Sequence, residues 1–139
     1  MLYKPKARRD AFIILYQWDV KGEPIEKLTE EYITTNNVKL YERRRYVRKL
    51  VDAFTKHAVD IDKMIGDFSE KWDIDRVGFI ERNVLRVALA ELLYISPKNL
   101  KPVVNDYIKI AQKYAGRSCA KFVNGILGRV LREKLSKQE

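Results

Sequence analysis

The side chains able to do chemistry in this sequence are cations, aromatics and amides rather than nucleophiles. The 139 residues contain one histidine, His57, and one cysteine, Cys119. Neither an internal disulfide nor a metal cluster of recognisable spacing can be built from them. No Gly-rich phosphate loop, dinucleotide fingerprint or Gly-x-Ser-x-Gly elbow occurs. Acidic pairs such as Glu30-Glu31 are consecutive on a helix and point apart. Cys119 sits between Arg117 and Lys121, which could lower a thiol pKa, but a small residue at a helix edge is the simpler reading. No catalytic constellation, metal or cofactor is implied.

The cations are abundant and clustered. Lys and Arg number 28 against 19 acids, a formal charge of +9. Such a balance favours acidic partners, nucleic acid first, with a Lys/Arg-rich surface of no specific purpose as the alternative. Lys4, Lys6, Arg8 and Arg9 form an acid-free opening arm. Lys39, Arg43, Arg44, Arg45, Arg48 and Lys49 are opposed only by Glu42, and a solvated helix face is the slightly favoured reading there. Arg117, Lys121, Arg129, Arg132, Lys134 and Lys137 lie near the end. A basic arm can follow a phosphate backbone, and arginine also stacks on unpaired bases. Tyr3, Tyr16, Phe68 and Trp72 are candidate stacking rings, with core packing the alternative for each.

Lys121-Phe122-Val123-Asn124-Gly125 breaks a local rule. Asn124 and Gly125 are poor helix formers inside a helical stripe. Such a conflict often marks a site. The Asn124 amide can read a base or, equally, satisfy backbone groups within the fold.

The elements that must position these groups are helices. Apolar residues recur every three to four positions almost throughout. The spacing predicts helices over about 5–20, 24–34, 40–68, 75–95, 102–115 and 119–135. Gly22-Pro24, Asn36-Asn37, Pro97 and Gly116 punctuate them. Ser118 is expected to cap the last helix, and Tyr114 to face inward with Tyr107 and Ala111. The fourth helix is apolar nearly all round and therefore central. Its Arg86 and Glu91 are expected to pair with other elements, because an unpartnered buried charge is costly. The chain reads as one all-α domain, 1–139, a compact bundle with short connections. It lacks an apolar leader and any run of about 18 apolar residues, so a soluble cytoplasmic protein is expected.

Four stretches, in order, resemble the NusB family. Lys121-Phe122-Val123-Asn124-Gly125-Ile126-Leu127 matches its C-terminal signature. Lys6-Ala7-Arg8, Ala11 and Leu15-Tyr16-Gln17-Trp18 resemble its opening helix. Trp72, Asp75-Arg76 and Glu81-Arg82-Asn83-Val84-Leu85-Arg86-Val87-Ala88 through Glu91-Leu92 resemble its central helix. Pro102-Val103-Val104-Asn105-Asp106 and Ala111 resemble its fifth. The resemblance spans essentially the whole chain.

It implies six to seven helices in two packed subdomains. It also implies a non-catalytic transcription antitermination factor that binds single-stranded boxA RNA of nascent ribosomal transcripts. The partner would be NusE, also a small-subunit ribosomal protein, within an RNA polymerase antitermination complex. Lys6, Arg8, Lys121 and Phe122 match the family's RNA-side motifs, Lys4 and Arg9 extend the arm, and Asn124 lies within the matched C-terminal signature. Tyr16, Asp75 and Glu81 match positions implicated in the NusE interface. Arg86 and Glu91 match positions that hold the fold. Some members form homodimers through the same surfaces. The sequence has Lys6 where arginine is common, and Arg117-Ser118 where relatives are often acidic. A similar domain also precedes the catalytic part of some RNA cytosine methyltransferases, which leaves an enzyme fragment as a second reading. A structural interaction protein with incidental charge is a third.

Overall fold

The computed structural model describes residues 2–71 and 73–136, the last two by backbone only. Trp72 and Lys137, named above, lie outside them, as does the side chain of Leu135. Among the described residues there are six α-helices: α1 (Tyr3–Lys21), α2 (Ile25–Thr35), α3 (Tyr41–Ser69), α4 (Phe79–Leu89), α5 (Leu100–Ala115) and α6 (Arg117–Ser136). No strand occurs among the described residues. Helices α1–α3 form one half, α4–α6 the other, and α1 and α3 both pack on α4. No helix among the described residues is long and apolar enough to cross a membrane.

The turns follow from residues that tolerate left-handed backbone. Gly22 (φ 72°) ends α1 and donates its N–H to the Trp18 carbonyl, as a C-terminal glycine does. Gly116 (φ 89°) separates α5 from α6. The Gly116 carbonyl accepts the Ala120 N–H, so Gly116 takes the cap position. Ser118, expected there, is the second residue of the helix. Pro102, expected to open α5, sits in its first turn, where an N–H has no intrahelical acceptor anyway.

The largest departure is in the fourth helix. The expected span 75–95 divides into a 3-10 turn at Ile74–Arg76, α4 proper, and a π-helical continuation over Ala90–Ile95. An apolar period cannot separate i→i+4 from i→i+5 bonding, so the sequence concealed the change. Every residue from Arg82 to Leu92 is buried, which makes this the central helix.

Its polar residues are all partnered. Arg86 donates to Asp62 of α3 at 2.8 and 3.0 Å and to Asp19 of α1 at 3.0 Å. Arg82 grips the same Asp19 at 2.6 and 2.9 Å, and Asn83 reaches it at 2.8 Å. Glu91 accepts from Arg8, Tyr46 and Tyr107, of α1, α3 and α5. A third cluster joins Arg43 and Tyr32 to the buried Asp10. Among the described residues no buried side-chain nitrogen or oxygen lacks a partner. Buried ions contribute little net stability over apolar packing, but removing one partner is severe. They fix the register of α1, α3 and α5 around α4.

Candidate nucleic-acid interface

The inner side of α6 is fixed by Val123, Ile126, Leu127 and Val130, all fully buried. That packing forces Lys121, Asn124 and Gly125 onto the outer side, where all three are exposed. They follow an i, i+3, i+4 spacing and so share one face. A Cβ placed on Gly125 would meet nothing within 4 Å. The Asn124 side chain makes no hydrogen bond among the described residues. Internal packing therefore explains neither poor helix former, and the intramolecular role open to Asn124 is not used.

Phe122 is half-buried and lines a depression of 380 Å³. Cys119 of α6, Gly78 and Glu81 at the start of α4, and Lys71 and Arg76 of the connection also face it. A Cβ on Gly78 would lie 2.7 Å from Glu81 Oε2. The Glu81 carboxylate is thus folded back over its own helix N-terminus, where the helix dipole favours an anion. Cys119 is buried here, and burial, aided by the Glu81 charge, pushes its thiol up to about 12. The basic neighbours do not activate it, and at neutral pH it is an unreactive thiol. Among the described residues no three His, Cys, Asp or Glu side chains gather to hold a metal.

The opening arm divides. Lys6 is exposed and Arg9 half-buried. Lys4 lies 5.0 Å from the Tyr46 ring. Arg9 lines a shallow depression with Lys109, Lys113 and Tyr114 of α5. Lys109 and Lys113 escaped the sequence reading. They are four apart on the outer side, a spacing that could have shown them. Tyr114, expected inward, is 38% exposed and packs on the buried Phe12 ring at the rim of the core.

Arg8 is the exception within the arm and corrects the expectation that it faces RNA. Its side chain is 7% exposed. Its Nε and Nη2 donate to Glu91 at 2.9 and 2.8 Å, and Nη1 to Asp106 at 2.6 Å. The guanidinium keeps its proton more firmly than usual. Burial alone would weaken it, but the Glu91 and Asp106 bonds outweigh burial. Its donors are committed to the fold.

Tyr16 meets Phe79, a residue the sequence reading did not single out, and Asp75 reaches the same patch through Arg82, while Glu81 faces the Phe122 depression. Tyr16 is 37% exposed and meets the Phe79 ring edge-on at 6.4 Å. Phe79 is 46% exposed, with the Arg82 guanidinium 4.2 Å from its ring centre. Asp75 is open to solvent, 3.9 Å from Arg82. A first helical turn that exposes phenylalanine after Gly78 was the available signal. Rings connect this patch to the basic depression, from Phe79 through Tyr16 and Phe12 to Tyr114. Of the other candidate rings, Tyr3 packs edge-on against Tyr46 and Phe68 packs on the core.

The surface can therefore offer cations to phosphates, an amide to a base edge and a ring to stacking. An aromatic patch with the exposed Asp75 carboxylate lies beside it. Comparison with known proteins is consistent with this geometry. The family model for the NusB family matches residues 5–132. The transcription antitermination protein NusB of Aquifex aeolicus is 38% identical, covering 100% of this chain and 95% of that protein. The fold superposes on a chain in a crystal structure of antitermination factors NusB and NusE in complex with dsRNA. The TM-score is 0.91 at 37% identity, over 96% of this chain and 98% of that one. A chain in the crystal structure of a plectonemic RNA supercoil gives 0.94 at 37% identity, over 97% and 98%.

Proposed function

The chain belongs to the NusB family and is a transcription antitermination factor, and on that premise we propose that it binds single-stranded boxA RNA of nascent ribosomal transcripts together with NusE. The exposed strip Lys121–Asn124–Gly125 beside Phe122 carries this reading, because two poor helix formers persist there without any internal use. Lys6, Arg9 and Lys121 hold phosphates, with Lys4 extending the arm. Such contacts supply affinity but no sequence information. Asn124 reads a base edge, and Phe122 receives an unstacked base. Gly125 lets the strand approach the helix backbone.

NusE docks on Phe79 and Tyr16, with Asp75 and Glu81 as the polar rim. Central aromatics surrounded by polar groups are the usual anatomy of a binding hot spot. The protein acts as one unit over 1–139, without catalysis and in the cytoplasm, within the RNA polymerase antitermination complex. Arg8 acts from inside, by holding the arm on the central helix.

The test is equilibrium binding to boxA and scrambled RNA, with and without NusE. Tighter binding to boxA, strengthened by NusE, is expected. Equal affinity for both RNAs in the presence of NusE overturns the reading.

A further inference from the structure

The arginine run at the start of α3 does not act as one face. Arg43 is spent on Asp10 at 2.7 Å. Arg44 donates to the carbonyls of Val38 and Lys39. Arg48 pairs with Glu30 at 2.8 Å. Arg45, Lys49 and Lys56 remain, all exposed and without an ion-pair partner among the described residues. They line a single groove of 660 Å³, in which Asp52 is the one carboxylate.

Two backbone irregularities meet at this groove. Helix α3 leaves helical geometry at His57 (φ −120°, ψ 20°). The central helix widens into its π-helical segment across the way. The His57 and Tyr94 rings stack there 3.6 Å apart and within 3° of parallel. Single π-helical turns recur at functional sites. Tyr94 is 37% exposed and Tyr41, at the groove's other end, 61%. These rings serve the groove more than the core.

We propose that this groove is a second RNA site, which takes single-stranded RNA continuing from the stretch held at α1 and α6. This rests on the RNA-binding reading above. Arg45 and Lys49 sit one turn apart and Lys56 about two turns further, a line of roughly 16 Å along the helix. A line of unpaired cations suits a polyanionic backbone. The open rings suit bases, which have a π-face whatever their identity. An acidic protein would use the charges but leave the rings idle. The arm and the groove share α3, since Lys4 lies over the ring of Tyr46 in that helix.

The experiment compares a boxA-length RNA with the same RNA carrying single-stranded extensions, both with NusE present. The proteins are wild type, the Arg45→Gln/Lys49→Gln/Lys56→Gln variant, and its charge-reversed counterpart with glutamates. All three cations are exposed, so thermal melts should agree. Wild type should bind the extended RNA about tenfold tighter, with a salt slope steeper by about two. Both variants should lose that gain and slope while binding the short RNA as wild type does. Tyr41→Ala should remove at least about fivefold of the gain. A gain that survives in both variants, or no gain in wild type, overturns the second site and leaves the first intact. Failure of the short RNA to bind wild type overturns the RNA-binding reading itself. Variants that keep both RNAs but lose an acidic protein of the complex assign the groove to protein, and overturn the proposal.

Discussion

Arg8 and Glu91, 83 residues apart, form a buried bidentate pair that fastens the basic arm to the central helix. Glu91 is fully buried and also accepts the hydroxyls of Tyr46 and Tyr107, each at 2.6 Å. One carboxylate thereby holds α1, α3 and α5. Lys6 and Arg9 are left on the outside of a helix whose rotation Arg8 has set. In this reading the arm contacts RNA with its outward cations and owes their placement to the inward one.

Removing Glu91 should therefore cost the fold. Glu91→Ala leaves Arg8 without its bidentate partner and two buried tyrosine hydroxyls without acceptors. Chemical denaturation should show a loss of about 3–5 kcal/mol. Arg8→Ala should also destabilise, but it should leave the salt dependence of RNA binding unchanged under conditions where the variant is folded. A slope that falls by one phosphate contact would return Arg8 to the RNA.

Gly125→Ala separates stability from binding. The new methyl enters open space, and alanine is the better helix former by about 0.5–1 kcal/mol. The variant should melt higher and bind boxA more weakly. Unchanged affinity would show that nothing approaches α6 at this point.

The Asp19 cluster predicts acid sensitivity. Burial alone would raise the Asp19 pKa. Hydrogen bonds from Arg82 and Asn83, with the charges of Arg86 and Arg82, outweigh it and hold the carboxyl below its ordinary 3.8. The folded value lies below the unfolded one. Its stabilisation is complete above the unfolded pKa and lost as pH falls through the folded one. The gap in unfolding free energy between wild type and Asp19→Asn should stay constant from neutral pH to about 5 and narrow below about 4. A gap that narrows already between pH 7 and 6 would contradict this.

Phe79→Ala should weaken NusE binding by about tenfold or more. Its effect on folding should be small, since Phe79 is half open to solvent. Calorimetry against NusE, paired with a thermal melt, checks both. Equal NusE affinity in wild type and variant would move the partner surface elsewhere.

How much of this was legible depended on whether the signal was local. Helix α3 was expected over 40–68 and spans Tyr41–Ser69, because one apolar face repeats along its length. Arg86 and Glu91 could be assigned to inter-helix pairs, since a lone charge in an apolar helix must find a partner. Which partner was not legible. Nothing local to Arg8 distinguishes it from Arg9, and only the tertiary fold brings Glu91 to it. The run 43–48 looked uniform for the same reason, yet each arginine meets a different neighbour. Asn124 and Gly125 stood out because they disagree with their own helix, and the structure leaves both exposed. Phe79, Lys109 and Lys113 gave no such conflict, and only assembly of the helices brings them beside Tyr16 and Arg9.

Backbone amide NMR of the chain bound to NusE, titrated with boxA RNA, tests most directly where RNA lies. Shifts should concentrate at Lys4–Arg9 and at Lys121–Gly125, with the Arg8 guanidinium signals still protected from solvent exchange. Shifts that leave the start of α6 untouched, or RNA-induced release of the Arg8–Glu91 pair, would contradict it.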